Sequence, residues 1–405
     1  MSAVDTATVR PRVAVDYACP SCRATRMELF HEHAGVPIHS CRLVQTRAEA
    51  LSFPRGDLRL AFCRSCGFIA NTAFDSALQD YGVAYEETQG FSPRFREFAH
   101  ELATRWIERY DLRGKELVEI GSGKGEFLAM MCELGGNSGV GIDPAFVEER
   151  LDSPAAERIR FVKGLYDGGW GPLDADAVIC RHTIEHIAPV GDFLADIRRG
   201  IGDRHDTVVL FDLPDVVRVL REAAFWDVYY EHCSYLSPGS LGRLFRRSGF
   251  EILELELDYD DQYLVIEAWP IDGEGAAVHP LEESVETLAH DVDSFGEVLA
   301  ATTSRWRREL AALRSNGGRA VVWGAGSKAV AFLTTLGIAE EVHVAVDINP
   351  FKQGMFIAGT GHEVVSPEQL TEVKPDLVIA MNAIYVNEIR EQLDALGVAA
   401  TVVAA

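Results

Sequence analysis

The feature that most restricts the fold of this chain is the stretch VEIGSGKGEFL at residues 118–128. A short apolar run ends in an acid, Glu119, and three glycines follow at alternate positions, Gly121, Gly123 and Gly125, before a helical pattern begins. A strand, a glycine-rich turn and a helix in this order are typical of a doubly wound α/β sheet, in which the turn lets the backbone approach a ligand. The sequence therefore predicts a ligand at the carboxyl end of this strand.

Strands and helices alternate over residues 81–270, which predicts βαβ units around a parallel sheet. After the strand ELVEI and the helix GEFLAMMCELG come the strand patterns SGVGID, ADAVIC and DTVVLFDLP, and then the closing pair FEILELELD and QYLVIEAWP. We expect a seven-stranded doubly wound sheet with an antiparallel edge. The run IDGEGAAVHP at 271–280 indicates a linker.

The rest of the chain predicts a helical segment and a smaller α/β domain. Apolar residues recur near helical spacing from Leu281 to Leu313, so residues 271–316 are predicted to hold a linker and one long amphipathic helix or two stacked ones. The stretch RAVVWGAGSKAVAFL is again a strand, a glycine-rich turn and a helix. Residues 317–405 are therefore predicted to form a half-size, Rossmann-like substrate-binding domain.

The acid before the first glycine distinguishes the loop at 121–125 from a dinucleotide site, because a carboxylate beside a negatively charged pyrophosphate would not stabilise its binding. Glu119 is placed to meet an ammonium group, and the GxGxG spacing leaves room for the adenosine and methionine portions of S-adenosylmethionine. Asp143, at the end of the next strand, is then placed for the ribose hydroxyls. Asp167 is either placed for the adenine or is a loop acid that binds no ligand. We predict S-adenosylmethionine as the cofactor, with NAD and a ligand-free turn as alternatives.

The second glycine-rich loop, GAGSKA at 324–329, has no acid before it. Gly324 opens the turn, and Ser327 and Lys328 stand at a helix N-terminus, which is a natural site for an anion. The loop predicts binding of a phosphate, such as that of a nucleotide-linked substrate. A purely structural turn is the alternative.

Two CxxC pairs lie in residues 1–80, Cys19 with Cys22 and Cys63 with Cys66. Each pair forms a knuckle that directs two thiolates at one point, and two knuckles supply the four ligands of a closed tetrahedral Zn²⁺ site. Because four ligands leave no open position, the zinc is predicted to be structural, in a zinc-ribbon-like module. A redox-active CxxC is the less favoured alternative.

Polar side chains are dense in two segments of the central domain. A third strand is predicted to end near YDGGW at 166–170, so ADAVIC is the fourth strand. RHTIEHI follows it directly, so its side chains lie at the carboxyl end of the sheet, where open α/β sheets bind ligands. The segment WDVYYEHCSYLS has five polar groups in seven residues: Tyr229, Tyr230, Glu231, His232 and Tyr235. A glutamate can orient a histidine or stabilise its protonated form, while a tyrosine donates a hydrogen bond to an oxyanion. This cluster therefore predicts a site of proton transfer.

The net charge narrows the choice of partners. There are 62 acidic against 38 basic residues, a formal charge of −24, and such a field repels phosphates, which argues against nucleic acid and anionic membranes as partners. The N-terminus lacks the apolar core of a secretory signal, and no run of 18 apolar residues occurs. We expect a cytoplasmic protein whose partner is a small, phosphate-bearing acceptor, and the oligomeric state stays open.

With these motifs the chain resembles the sugar C-methyltransferases, which methylate nucleotide-linked keto-deoxysugars in natural-product biosynthesis. The resemblance spans nearly the whole chain and implies a zinc module, a class I S-adenosylmethionine-dependent methyltransferase domain and a C-terminal Rossmann-like domain. The family's Tyr-x-Glu-His motif is matched by YYEHCSYLS, which implies catalytic roles for Tyr229, Glu231 and His232. A histidine after the fourth strand, His186 here, is implied as well, and GAGSKA resembles the family's loop near the nucleotide.

The resemblance breaks where the last strands meet. The family commonly has a His-Gly-Gly stretch there, whereas this chain has Asp261, Gln262 and Tyr263. We assign Gln262 and Tyr230 to acceptor binding. The change at this point indicates a different sugar, or an acceptor that is not a nucleotide sugar.

The sequence thus predicts a methyltransferase that removes a proton next to a carbonyl and methylates the resulting carbanion. His232 is the first candidate base and Tyr229 the second. O- or N-methylation by the same histidine is an alternative within this chemistry. A NAD-dependent sugar-modifying oxidoreductase is the alternative of another class, and a non-catalytic zinc scaffold is the weakest because it leaves the polar cluster unexplained.

Overall fold

A computed structural model of the chain describes residues 13–405 and contains three β-sheets. The part of the N-terminus that bears on the secretory signal lies mostly outside the described residues. Within the described part, no helix is both long and apolar enough to cross a membrane. The strands, in chain order, are β1 Val13–Val15, β2 Met27–Pro37, β3 Arg55–Phe62, β4 Ile69–Asn71, β5 Glu116–Ile120, β6 Ser138–Ile142, β7 Ile159–Val162, β8 Ala177–Arg181, β9 Val208–Pro214, β10 Ser234–Tyr235, β11 Phe250–Asp258, β12 Tyr263–Pro270, β13 Ala320–Trp323, β14 Val342–Val346, β15 Val364–Val365, β16 Leu377–Ala380 and β17 Thr401–Ala404.

The helices connect these strands and begin at recognisable caps, such as Ser92 and Ser237, each followed by a proline. They are α1 Arg47–Leu51, α2 Pro93–Tyr110, α3 Glu126–Gly135, α4 Val190–Ile201, α5 Val216–Glu222, α6 Pro238–Arg247, α7 Val285–Ser315, α8 Ser327–Leu336, α9 Leu370–Val373 and α10 Val386–Leu396.

The central sheet has seven strands in the order β11-β12-β9-β8-β5-β6-β7. Its strands from β5 to β9 are parallel, and β12 pairs antiparallel with both β9 and β11. Apolar residues of α2 and α3 pack on one face of this sheet, and those of α4 and α6 pack on the other. The predicted doubly wound sheet with an antiparallel edge is confirmed. Because β5 lies between β6 and β8, the strand order reverses there, and such a reversal opens a crevice at the carboxyl ends.

The N-terminal sheet is antiparallel, in the order β1-β2-β3-β4-β10. Strand β3 runs directly into the knuckle that begins at Cys63. The last strand, β10, comes from the YYEHCSY segment, with Ser234 opposite Ala70 and Tyr235 opposite Ile69. The sequence does not predict this pairing, which ties the polar segment of the central domain to the N-terminal sheet.

The C-terminal sheet is parallel throughout, in the order β15-β14-β13-β16-β17, as expected for a half-size Rossmann-like domain. Before it, α7 is one continuous helix of 31 residues, so the alternative of two stacked helices is wrong. The apolar stripe of α7, which includes Leu288, Phe295 and Trp306, lies in one core with residues of β2, α5 and α8. This shared core joins the N-terminal and C-terminal sheets to α5, the helix that follows the central strand β9.

Candidate active site

A cavity of about 910 Å³ opens where the carboxyl ends of β5, β6 and β8 face those of β13 and β16. The segment 74–92, which connects the first sheet to α2, forms a further wall of this cavity. All three parts of the chain therefore contribute to one site.

The glycine-rich loop at 121–125 forms the floor of the cavity beside the central sheet. Gly121, Gly123 and Gly125 all have left-handed backbone, with φ of 75°, 54° and 85°. A Cβ on Gly121 would lie 1.9 Å from Thr183 Oγ1, and one on Gly125 would lie 2.5 Å from the Phe161 ring. Only glycine fits at these positions, so backbone rather than side chains faces the ligand.

Glu119 is buried at the end of β5 and lines the cavity, and its Oε2 has no hydrogen-bond partner among the described residues. Burial raises the pKa of this carboxyl to about 8, against the opposing effect of Arg181. A buried carboxyl oxygen without a partner is costly, and a cationic ligand group would satisfy it. The residue therefore fits the ammonium group of S-adenosylmethionine.

Asp143 and Asp167 stand farther along the same side of the cavity. Asp143 accepts hydrogen bonds from the backbone N–H of Gly123 at 2.9 Å and of Ala145 at 2.6 Å, and burial raises its pKa. Each of its oxygens has a second lone pair, so it is still able to accept from a ribose diol. Asp167 is exposed and accepts from the backbone N–H of Gly169 at 2.9 Å, which places it at the mouth.

The sequence analysis missed the contacts of Lys124, the residue between the last two loop glycines. Its buried Nζ donates to the carbonyls of Tyr85 at 2.8 Å and Ala145 at 2.9 Å, and lies 3.5 Å from Glu87 Oε2. Burial raises the pKa of Glu87 to about 7, and this side chain also lines the cavity. Lys124 thus fixes segment 74–92 against the cofactor loop.

Cofactor affinity should depend on pH through Glu119. Because a bound ammonium favours the ionised carboxylate and the free carboxyl has a pKa of about 8, binding below pH 8 requires release of a proton. Affinity for S-adenosylhomocysteine should therefore rise by up to about tenfold per pH unit as pH approaches 8, and level off above it. Calorimetry between pH 6 and 9 measures this, with Glu119→Gln as the control that should bind weakly without the slope. A flat wild-type profile would contradict the role of Glu119.

The polar pair at the centre of the cavity is Tyr229 and His232. The Tyr229 hydroxyl lies 2.7 Å from His232 Nε2, and Glu185 Oε1 lies 4.0 Å from the same nitrogen. Burial lowers the pKa of His232 well below its ordinary value, and nearby basic side chains, His186 first, lower it further. The imidazole is therefore neutral at pH 7 and able to accept a proton.

Two more groups surround the pair. The ring of His186 is 5.0 Å from that of His232 and nearly perpendicular to it, and its Nδ1 lies 3.1 Å from the Tyr81 hydroxyl. Tyr81 belongs to the connecting segment and has no sequence motif around it, so the sequence analysis missed it. From the C-terminal side, Ser327 hydrogen-bonds to Tyr229 and lies 3.2 Å from Cys41 Sγ. The centre of the cavity is thus assembled from all three sheets.

The structure corrects the roles assigned to Glu231 and Tyr230, because neither lines the cavity. Glu231 is fully buried and accepts from His39 Nδ1 at 2.8 Å and from the backbone N–H of Ser40 at 2.9 Å. The Tyr230 hydroxyl accepts from the backbone N–H of Asp75 at 2.9 Å. Glu231 therefore positions the segment against the N-terminal sheet rather than touching a substrate, and Tyr230 packs in that interface.

The predicted anion loop lies opposite the cofactor loop. Gly324, Ser327 and Lys328 all line the cavity at the start of α8. Lys328 Nζ is 2.6 and 2.8 Å from the two carboxylate oxygens of Asp227, which also pairs with Arg218. Arg218 also lies 3.4 Å from Glu222, so the charges of the two cations are balanced by two carboxylates. Local sequence does not predict that Lys328 is paired. Gln262 lines the cavity too, in contact with Asn382.

The four cysteines of the CxxC pairs converge away from this cavity. Cys19 Sγ and Cys66 Sγ are 3.6 Å apart, Cys22 Sγ and Cys63 Sγ are 3.5 Å apart, and all four sulfurs lie within 4.8 Å of one another. A tetrahedral zinc with Zn–S bonds of about 2.3 Å requires sulfurs roughly 3.8 Å apart, so the arrangement fits the ion. Because all four positions are filled by sulfur, the site has no place for a substrate.

Comparison with known proteins bears on the central and C-terminal parts of the chain. The family model described as a methyltransferase domain matches residues 94–255, and the one described as a C-methyltransferase C-terminal domain matches residues 281–402. A curated relative, the C-methyltransferase NovU of Streptomyces niveus, is 26% identical over 316 residues, which cover 71% of each chain. Both matched regions contribute to the cavity.

Solved methyltransferase structures match part of this chain. A Burkholderia thailandensis 1,6-didemethyltoxoflavin-N1-methyltransferase, solved with S-adenosylhomocysteine, has 18% identity and a TM-score of 0.34, over 44% of this chain and 82% of its own. CalO1, a methyltransferase in calicheamicin biosynthesis, has 20% identity and a TM-score of 0.35, over 44% of this chain and 55% of its own.

Proposed function

The chain belongs to the family of S-adenosylmethionine-dependent C-methyltransferases, and from this premise we propose that it methylates a carbon atom of a nucleotide-linked keto sugar. One observation carries the proposal: the cofactor loop, the Tyr229–His232 pair and the N-terminus of α8 all line a single cavity. An acceptor whose phosphate lies at α8 would extend past the pair toward the cofactor loop.

The residues of the cavity suit proton abstraction next to a carbonyl. Neutral His232, in contact with Tyr229, takes the proton, and the electrons of the broken C–H bond pass to the carbonyl oxygen as an enolate. Tyr81 and His186 lie beside the pair as hydrogen-bond donors for that oxygen. S-adenosylmethionine, when bound, supplies the electrophilic methyl group. The cavity walls from three sheets hold the acceptor and exclude water.

The C-terminal loop supports a phosphate-bearing acceptor. Helix α8 begins at the cavity with Gly326 as its N-cap and without a side-chain cap, so its first backbone N–H groups are available to a phosphate. Lys328, Lys352 and Arg218 stand on the same side, paired with Asp227, Asp347 and Glu222. Although burial acts to raise it, the two cations Lys328 and Arg218 lower the pKa of Asp227, so this carboxylate stays ionised and holds Lys328 in place. We also propose that the four cysteines hold one structural Zn²⁺, which organises the N-terminal sheet.

The acceptor class is tested by calorimetry with thymidine diphosphate and with the same nucleotide linked to a 4-keto-6-deoxyhexose. Lys328→Ala should weaken both by roughly tenfold, the cost of one charge-assisted hydrogen bond, and leave S-adenosylhomocysteine affinity unchanged. Lys115→Ala is the matched control, because it removes the same charge outside the cavity. An equal loss of ligand affinity in both variants would show that the net charge of the protein, rather than a contact with Lys328, affects binding. If neither ligand binds the wild type, the acceptor is not a nucleotide sugar.

A further inference from the structure

Two carboxamides face each other across the boundary between the central and C-terminal sheets. Gln262 Nε2 donates to Asn382 Oδ1 at 3.0 Å, and the two residues are 6% and 9% exposed. Both side chains line the cavity. Buried amides form as many hydrogen bonds as their surroundings allow, so the atoms that this contact leaves over are available to a ligand.

The hydrogen bonds determine which atoms are left over. Asn382 Oδ1 also accepts from the backbone N–H of Ile384 at 3.2 Å, so this atom must be the oxygen, and only the Nε2 end of Gln262 is able to donate to it. Within residues 13–405, no protein partner takes Gln262 Oε1 or Asn382 Nδ2. The pair therefore offers the cavity one uncharged acceptor and one uncharged donor, side by side.

The backbone that carries Gln262 is strained. Tyr259, Asp260 and Asp261 have φ of 52°, 60° and 57°, and three consecutive non-glycine residues in the left-handed region are energetically unfavourable. The turn is held by the stacked rings of Tyr259 and Tyr263, 4.9 Å apart, and by contact of the Tyr259 and Tyr385 hydroxyls at 2.5 Å. Such strain persists where the surrounding structure enforces it, and here it delivers the Gln262 amide to the cavity.

The residues next to the two amides lie near the catalytic pair on one side and the anion loop on the other: a Cβ on Gly324 would be 3.6 Å from Cβ of Met381, the neighbour of Asn382. Next to Gln262, the Tyr263 ring is 4.4 Å from the ring of His182, whose Nδ1 is 3.6 Å from Glu185 near His232. On the other side, Asn382 follows β16, the strand paired with β13. In the binding mode proposed above, with the phosphate at the α8 loop and the reacting carbon at His232, the sugar ring is the part of the acceptor that passes the pair.

We propose that Gln262 and Asn382 read two neighbouring oxygen functions on the sugar ring: a hydroxyl that donates to Gln262 Oε1 and an oxygen that accepts from Asn382 Nδ2. This inference rests on the proposed function. Because the pair is neutral, it selects by hydrogen-bond pattern rather than by charge. A ligand that lacks either function leaves a buried amide atom unpaired, and sites of this kind discriminate strongly.

Asn382→Asp is the decisive variant, because its carboxylate still accepts from Gln262 and Ile384 but no longer offers a donor. Gln262→Ala removes the acceptor. The gain in affinity that the 4-keto-6-deoxyhexose adds over thymidine diphosphate alone should fall by roughly tenfold in both variants, as for a buried polar group left unpaired. Affinities for thymidine diphosphate and S-adenosylhomocysteine should not change.

Arg55→Ala is the interface control, because Arg55 Nη2 donates to the Gly359 carbonyl at 2.7 Å and so also ties the C-terminal part to the rest, outside the cavity. An equal loss in this variant would reduce the pair to an interface contact. The inference is wrong if both amide variants keep the affinity that the sugar adds over thymidine diphosphate. It is also wrong if they bind thymidine diphosphate itself more weakly, because the amide pair would then contact the nucleotide. If the wild type binds thymidine diphosphate and the linked sugar adds no affinity, the inference about the amide pair is refuted and the proposed function is not. If the wild type binds neither ligand, the proposed function is refuted.

Discussion

His232→Ala is expected to abolish turnover and, with it, exchange of the acceptor's α-hydrogen with solvent. Only C-methylation must first break a C–H bond next to a carbonyl, and a base within reach does so reversibly before a methyl donor is present. Incubation with the nucleotide-linked keto sugar in D₂O, with S-adenosylhomocysteine in place of the donor, should introduce deuterium at the α position. Loss of a general base typically lowers such rates by roughly 10²–10⁴-fold.

The hydrogen bond of 2.7 Å between Tyr229 and His232 makes the two side chains a unit, so Tyr229→Phe should slow the exchange as well. Cofactor binding should persist in both variants, because neither side chain belongs to the set proposed to bind the cofactor. His290→Ala, on the exposed side of α7, is the matched control and should exchange like the wild type. Exchange that survives in His232→Ala would assign the base elsewhere in the cavity.

Exchange is hidden if the abstracted proton stays shielded from solvent, so the position of the new methyl group, found by NMR of the product, is the second measurement. A methyl group on carbon supports the enolate route. A methyl group on oxygen or nitrogen would refute carbon methylation and leave a methyltransferase in which His232 deprotonates a hydroxyl or an amine.

Loss of zinc should unfold the N-terminal sheet and inactivate the enzyme. Cys19, Cys63 and Cys66 are fully buried, and structural zinc contributes about 10–16 kcal/mol to the folding of zinc-finger peptides. Cys63→Ser should therefore lose the metal and unfold at a much lower temperature. Activity should be lost together with the fold, because β10 pairs with β4 and Glu231 is anchored by His39 and Ser40.

Metal analysis of the purified protein should find one zinc per chain, and calorimetric melting should follow the metal content. Cys132→Ser, in α3, is the matched control because Cys132 is buried but outside the cluster, and it should retain the zinc. A fully folded protein without zinc would contradict the assignment. So would a chelator that abolishes activity while the melting temperature is unchanged.

The local patterns were sufficient for the elements of the fold. The strand ELVEI and the glycine-rich turn and helix that follow it appear in the structure where the sequence predicts them, because strand periodicity and left-handed turns depend on neighbouring residues. The same holds for the CxxC knuckles, in which spacing alone brings two sulfurs together. Glu119 and Asp143 lie in the cavity because the carboxyl ends of parallel strands meet at the same edge of the sheet, where the ligand crevice opens.

Tertiary structure decided which of the adjacent polar residues face the cavity. Glu231 and His232 are neighbours in sequence, yet pairing of β10 with β4 directs one side chain toward His39 and leaves the other in the cavity. Lys328 is paired with Asp227, 101 positions away, and Tyr81 reaches His186 from a connecting segment without any motif. Such contacts arise from packing between sheets that are distant in sequence. A local pattern specifies an element and its turn, but the partner across an interface depends on how whole sheets are placed.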